Sequence, residues 1–454
     1  MSLTSINPAT GEVLGSYAQL TDGELEARLS RATLAFKDHS RSSLTARAES
    51  MQRLARGLAE ECREHARRIT REMGKPLSAA ESEVQKCASA CSHYAENAAR
   101  YLADVAIPTE AIASYVRPLP LGAILGIMPW NFPYWQVFRW AVPAVMAGNV
   151  TLLKHSSNVS GCALAIERLF AESGFTENTF QTLLIESNRV AKIIADKRVA
   201  AISLTGSEAA GAAVAALAGK HVKKCVLELG GSDPFIVMPS AQLDRATSMA
   251  VAARIVNNGQ SCIAAKRFIV HADCYDAFLA AFVQHFAGLK VGDPFDPGVD
   301  IGPISTDSGR ALLQQQVASA YTAGARILCG GRCLEGPGYF FAPTVIADIP
   351  KQAAIHHQEV FGPVALVYRV KDVDEAIAFA NDTPYGLASS VWTEEPAEQQ
   401  RFIDELQVGL TFINAIVASD PRLPFGGVKQ SGYGRELGPQ GILEFVNAKT
   451  VYIR

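Results

Sequence analysis

Little in this 454-residue chain points to a membrane, a disulfide framework or a metal centre. No stretch stays apolar for the roughly 18 residues that a membrane-spanning helix requires. The opening MSLTSINPATGEVLG has neither the basic start nor the apolar core of a signal peptide. A soluble, cytoplasmic protein is therefore expected. The nine cysteines (Cys62, Cys87, Cys91, Cys162, Cys225, Cys262, Cys274, Cys329 and Cys333) are odd in number and scattered, which fits reduced thiols better than paired ones. Lysine and arginine total 42 against 45 acidic residues, a net charge of -3, with no dense basic block. That balance argues against broad binding to a nucleic-acid backbone and against a polybasic membrane anchor. HExxH, paired CxxC, the Walker lysine motif, GxSxG and GxGxxG are all missing, so metal-dependent hydrolysis and P-loop chemistry are not the leading readings, and no metal is expected.

What is present is an ordinary globular composition, 48% apolar and 19% charged. At roughly 100 to 200 residues per domain, it has room for two or three cores. From Asp22 to Tyr101 the pattern is helical, with Leu54, Leu58, Ile69 and Met73 on one face and a break at Gly74-Lys75-Pro76. Nothing in that stretch reads as chemical. Ala113 to Leu125, with Pro118, Pro120 and Gly122, reads as an edge strand able to reach another subunit. Short β-rich runs then alternate with Ala-rich helices: Val150 to Lys154, Phe180 to Leu184, Ala200 to Leu204 and Lys224 to Leu227. A second series comprises Phe235 to Val237, Arg267 to Val270, Val360 to Arg369 and Leu410 to Asn414. Alternation of this kind predicts parallel sheets with crossover helices, an α/β fold.

Four segments carry candidate chemistry. Asn257-Asn258-Gly259-Gln260-Ser261-Cys262 sets a cysteine in a polar turn, where backbone amides can surround a thiolate; a cysteine taken alone is more often a small buried hydrophobe. Glu228 closes an apolar run ahead of Gly230 and Gly231, a place for a general base or for a plain strand-end carboxylate. In Pro129-Trp130-Asn131-Phe132-Pro133 the asparagine amide is either an oxyanion donor or a helix cap. The strand-turn-helix run through Gly206 and Ser207 exposes helix N-terminal amides suited to a pyrophosphate, although many such turns bind nothing.

Together, PWNFP, LLKHSS, LTGS, ELGGSDP, NNGQSC, QEVFGP and PFGGVKQSGYGRE resemble the aldehyde dehydrogenase superfamily in order and approximate spacing over essentially the whole chain. The resemblance implies a Rossmann-like cofactor domain (residues 1–105 and 122–229), a catalytic α/β domain (230–436) and a β-arm for oligomerisation (106–121 and 437–454) that joins dimers or tetramers. It also implies Cys262 as nucleophile, Asn131 with the Cys262 N–H as oxyanion hole, and Glu228 as the base for deacylation. For the cofactor, NAD or NADP, it implies Lys154 at the adenosine ribose, Gly206 and Ser207 at the pyrophosphate, Glu359 at the nicotinamide ribose and Phe361 as a wall for the nicotinamide ring, with Trp130 also a cofactor contact. NAD-selective members commonly carry a glutamate where this chain has Ser157, so use of both cofactors is expected.

For the substrate, Gln136 and Arg139 lie one turn apart after PWNFP. Arg139 matches the arginine with which succinate-semialdehyde dehydrogenases hold the substrate carboxylate, and a buried guanidinium needs an anion, from substrate or from the protein itself. The mammalian-type enzymes add a second arginine where this chain has Val256; here the loop Ala418 to Arg422, through Ser419 or Arg422, is the expected replacement. The pattern is similar to the bacterial Sad-type branch, which implies oxidation of succinate semialdehyde to succinate through a cysteine thiohemiacetal and thioester. The alternatives are a broad aldehyde dehydrogenase, a cofactor-free thiol hydrolase using Cys262 and Glu228, and a non-catalytic protein on the same scaffold.

Overall fold

A computed structural model describes residues 2–454. The helical stretch resolves into four helices, Asp22–His39, Leu44–Glu60, Cys62–Met73 and Leu77–Tyr101. Thr21 and Glu24 close a reciprocal capping box at the start of the first. Gly74, at φ +91°, ends the third and lets the chain turn into the fourth, because a Cβ there would strike Pro303 and Pro8. Leu54, Leu58, Ile69 and Met73 are all fully buried, as their spacing predicts.

Two mostly parallel sheets follow, alongside a two-stranded sheet of Ser2–Ile6 with Val13–Ala18 and a small three-stranded antiparallel one. The first runs Gly432–Tyr433, Lys224–Glu228, Val199–Thr205, Ala123–Met128, Val150–His155, Phe180–Thr182, antiparallel only at Gly432–Tyr433. The second runs Arg326–Cys329, Thr344–Ala347, Val364–Val370, Arg267–His271, Pro234–Val237, Ala388–Trp392, Leu410–Ile413, antiparallel only at Arg326–Cys329. Successive side chains point to opposite faces, and both faces are covered by helices. In the first sheet Ile124, Ala201 and Val226 pack on one side, and Leu125, Ile202 and Leu227 on the other. In the second, Phe235 and Val237 face one core and Ile236 the other.

The structure departs from the sequence reading at three places. The run Ala113 to Leu125 is not one edge strand. Gly122, at φ +145°, divides it into Ala113–Pro120, paired antiparallel with Val446–Ile453, and Ala123–Met128, a central strand. Pro118 and Pro120 accordingly sit in the small sheet and not in the parallel one. Thr344–Ala347 and Ala388–Trp392 join the second sheet without having been read as strands. Gly432–Tyr433 pairs with the first sheet, and helix Gly438–Leu443 packs beside Trp135–Met146, so of residues 437–454 only the strand Val446–Ile453 joins the small sheet.

The first sheet switches direction between Ala123–Met128, whose chain continues toward Val150–His155, and Val199–Thr205, whose chain continues toward Lys224–Glu228. A crevice beyond the carboxyl ends of the strands at such a point is where α/β sheets bind ligands. The five residues 229–233 lead from the carboxyl end of Lys224–Glu228 to the start of Pro234–Val237, so that edge faces the amino ends of the second sheet.

The helix Trp135–Met146 is buried along its whole length. Its Trp140 indole approaches the central strand so closely that a Cβ at Gly126 would lie 1.9 Å from the ring. Gly126→Ala therefore overpacks this contact and is expected to destabilise the protein by about 1–3 kcal/mol, read as a lower denaturant midpoint at unchanged slope.

Candidate active site

Cys262 stands five residues before the strand Arg267–His271, in a turn built from left-handed backbone. Asn257 (φ 57°), Asn258 (φ 59°) and Gly259 (φ 73°) are the residue types that tolerate that region. At Gly259 a Cβ would also meet the Gly362 carbonyl carbon at 2.4 Å. Side chains fasten the turn. Asn257 Nδ2 donates to the Asn131 carbonyl at 2.7 Å and to that of Gln260 at 2.9 Å. Asn258 Nδ2 donates to Gly74 O at 3.0 Å and Pro303 O at 3.1 Å.

Buried cations complete the fastening. Arg254 donates to the carbonyls of Ala265 (2.7 Å), Gly259 (2.6 Å) and Gly362 (2.7 Å). Lys266 donates to the carbonyls of Ser261 and Cys262 and pairs with Glu359 at 3.4 Å. Neither cation was singled out from the sequence; the available signal was an arginine inside the Ala-rich helix Leu243–Ile255 and a lysine flanking a strand.

The Cys262 N–H has no acceptor among the described residues. Asn131 Nδ2 donates to Gln260 O at 3.1 Å, which leaves its second amide N–H open, and Asn131 lines the same cavity as Cys262. Burial pushes the Cys262 thiol up to about 12, opposed by Arg139 and Lys266, so the resting group is the neutral thiol. Glu228 is buried with no hydrogen-bond partner on either oxygen, and burial pushes it well above the usual carboxylate range against the pull of Arg139. It lines neither of the two cavities beside Cys262; a Cβ at Gly426 would come within 2.6 Å of its Oε1.

One of those cavities, about 220 Å³, lies at the switch point of the first sheet and is lined by Trp130, Asn131, Gln136, Thr205, Gly206, Ser207, Glu359, Phe361 and Cys262 among others. Its residues fit a dinucleotide. Ser207 caps the helix Glu208–Lys220, and Gly206 has no side chain to fill the turn. Glu359 accepts from the Gly231 N–H at 3.1 Å, and Trp130 meets Phe361 edge-on at 5.8 Å. Lys154 lies farther out at its strand end, its Nζ donating to Ser187 Oγ at 3.2 Å, with Ser157 exposed nearby. Both lie outside this cavity.

The second cavity, about 390 Å³, shares Gln136 and Cys262 with the first and is walled by Phe132, Trp135, Ile263 and Phe425. Here the structure corrects two expectations. Arg139 lines this cavity, but the anion it needs is supplied by the protein: it pairs with buried Glu436 and lies over the Phe425 ring at 4.4 Å. Arg422 points away, exposed, paired with Asp420 at 2.6 Å and beside a separate surface hollow with His93. Ser419 does face the cavity, as does buried Gln136, whose Oε1 has no partner. The helix Leu77–Tyr101, read as featureless, contributes Glu83 and Lys86, and the break before it contributes Lys75. A carboxylate on the buried, apolar stripe of that helix was the signal that sequence reading passed over.

The sequence profile described as the Aldehyde dehydrogenase family matches residues 1–451. The chain belongs to this family. Among aldehyde dehydrogenase relatives, the protein of Mycobacterium tuberculosis named succinate-semialdehyde dehydrogenase (NADP(+)) 1 is 54% identical over 456 residues, covering 100% of both chains. The Mycobacterium leprae protein named succinate-semialdehyde dehydrogenase (NADP(+)) is 53% identical over 458 residues, again with 100% of both covered. The crystal structure of succinic semialdehyde dehydrogenase from Streptococcus pyogenes in complex with NADP+ superposes with a TM-score of 0.97 at 37% identity, covering 99% of each chain. No helix of this aldehyde dehydrogenase is long and apolar enough to cross a membrane, among the described residues.

Because Arg254 collects carbonyls from both sides of the Cys262 turn, Arg254→Met leaves several buried acceptors unpaired. The expected loss is about 3 kcal/mol of stability, seen in denaturant unfolding, together with a lower kcat; Arg254→Lys restores only part, because one ammonium cannot span the same carbonyls.

Proposed function

We propose that this protein oxidises succinate semialdehyde to succinate, with NADP or NAD as hydride acceptor, through a thioester on Cys262. The observation that carries the reading is the position of the Cys262 thiol at the junction of two cavities. One is a glycine-turned crevice at a sheet switch point. The other is apolar-walled and lined by three cations, Lys75, Lys86 and Arg139; Lys75 pairs with Glu83 and Arg139 with Glu436, which leaves one positive charge without a carboxylate partner among the described residues. An aldehyde bearing a carboxylate matches the second cavity; a purely aliphatic one leaves its charge unanswered.

Cys262 loses its thiol proton to solvent as its sulfur bonds to the aldehyde carbon and the carbonyl π bond opens, and the charge that develops on the former carbonyl oxygen is held by the Cys262 N–H and the open amide N–H of Asn131. The bound nicotinamide supplies the hydride acceptor. Glu359 and the turn at Gly206 and Ser207 orient it, with Trp130 and Phe361 as walls. The thioester left on Cys262 is hydrolysed by a water whose proton goes to Glu228, which turns from its enclosed position beside Gly426 toward the sulfur for this step. Ser157 places no carboxylate near the adenosine ribose, which supports acceptance of the 2'-phosphate of NADP; the relatives named for NADP(+) agree.

The exposed apolar residues Val105, Ile107, Ile112, Tyr452 and Ile453 lie on and beside the small sheet of Val105–Ala106, Ala113–Pro120 and Val446–Ile453. They support its use as an arm joining copies of the chain into a dimer or tetramer.

Mixing the protein with succinate semialdehyde and NADP is expected to produce NADPH absorbance and, on acid trapping, an acyl adduct at Cys262. Cys262→Ala lowers turnover by at least about 1000-fold while still binding NADP; a rate near wild type, or an adduct elsewhere, overturns the mechanism. The raised Glu228 carboxyl works as a base only when ionised, so deacylation weakens as pH falls through its shifted value. In Glu228→Gln that acid limb of kcat is lost, and a burst of NADPH precedes a slow steady rate.

A further inference from the structure

The charges around the second cavity can be paired one by one. Glu83 accepts from Lys75 and from the backbone N–H groups of Tyr134 (2.8 Å) and Trp135 (2.9 Å), so its oxygens are committed. Arg139 is committed to Glu436, and Asp420, the next acid along the loop, to Arg422. Lys86 is left over. No carboxylate lies within 4.0 Å of its Nζ among the described residues; its one hydrogen bond goes to Ser419 Oγ at 2.7 Å, and it lies over the Trp135 ring at 4.5 Å.

Ser419 sharpens the point. Its buried hydroxyl oxygen accepts twice, from Lys86 Nζ and from the Trp135 indole N–H at 3.0 Å, and it donates to nothing among the described residues. A hydroxyl with both lone pairs engaged still has a proton to give. Two ammonium protons of Lys86 and the hydroxyl proton of Ser419 thus have no acceptor among the described residues, and both side chains line the cavity that also holds Cys262. Trp135 and Lys86 itself prevent the serine from turning to satisfy itself internally. Burial, with Arg139 nearby, pulls the Lys86 ammonium down to about 8; it is still mostly protonated at neutrality, and an anion beside it relieves the cost of burying it.

We propose that Lys86, together with the Ser419 hydroxyl, is the recognition site for the substrate carboxylate, and that Lys86 rather than Arg139 separates a carboxylated aldehyde from a neutral one. The assignment rests on the reading of the site as one for succinate semialdehyde. The geometry is that of a charge-assisted anion cradle: a point cation and a neutral donor held by a shared hydrogen bond, with an indole face fixing the lysine stem. Arg139, neutralised by Glu436, keeps a positioning role beside Glu228 and Thr205, to whose Oγ1 it donates at 3.4 Å.

Steady-state rates with succinate semialdehyde and with butanal, a neutral aldehyde of the same carbon count, test this on the wild-type protein, Lys86→Met and Lys86→Arg. Wild type is expected to prefer succinate semialdehyde in kcat/KM. In Lys86→Met that preference falls by about 10- to 100-fold, through KM for succinate semialdehyde with little change in its kcat, and the inhibition constant of succinate rises in parallel. Lys86→Arg restores much of the preference. If Lys86→Met does not fold, Lys86→Gln is read in its place. A wild type that prefers succinate semialdehyde and a variant whose preference is unchanged overturn the Lys86 assignment and leave the substrate reading standing. A wild type with no preference overturns the substrate reading, and the assignment with it.

Discussion

Buried cations bonded to backbone carbonyls hold this site in place. Arg254 draws together the carbonyls of Gly259, Ala265 and Gly362; Lys266 takes those of Ser261 and Cys262; Arg267 takes those of Ser232, Phe379 and Ala380. A buried guanidinium or ammonium is costly unless its protons are all engaged, and carbonyl oxygens in a sharp turn are costly unless something donates to them. Most of that need is met on both sides, the Arg254 Nε alone among the nitrogens of these three cations lacking a partner among the described residues. The turn before Cys262, the Glu359 to Gly362 segment and the link between the two sheets are therefore tied to the same few side chains. Loosening one end disturbs both Cys262 and the residues that line the cavity at the sheet switch point.

The same economy of charge governs the substrate side. Lys75 with Glu83 and Arg139 with Glu436 are internally compensated pairs, so they shape the cavity without offering net charge. Glu228 lies close enough to Arg139 and Glu436 to feel both. Burial still dominates, so its carboxyl is pushed well above the usual carboxylate range. Burial likewise pushes the Cys262 thiol up to about 12, and a neutral thiol is less open to oxidation than a thiolate.

Much of the architecture was legible in local pattern. The strands Val150–His155, Val199–Thr205 and Lys224–Glu228 follow from β-rich runs between Ala-rich helices, because parallel strands buried on both faces need continuous apolar side chains. The left-handed turn before Cys262 is written in Asn-Asn-Gly, and the open turn at Gly206 in the lack of a side chain. Ala388–Trp392 escaped notice because two of its residues are serines, whose hydroxyls bond inward to Ala415 O and to Thr411 and Leu410, a satisfaction no periodicity reveals.

The sequence by itself determined the fold class and the left-handed turn before Cys262, since these depend on residue type at neighbouring positions and on motifs that keep their order. Only the tertiary structure decided which charges are spent. Arg139 reads as a free cation until Glu436, far along the chain, is folded against it. Lys86 reads as one more solvated helical lysine until Glu83, Asp420 and Glu436 are each found with another partner. Pairing is a property of distance in space: Lys75–Glu83 and Asp420–Arg422 are near in the chain, but Arg139 and Glu436 meet only once the helix Trp135–Met146 and the C-terminal segment are packed together.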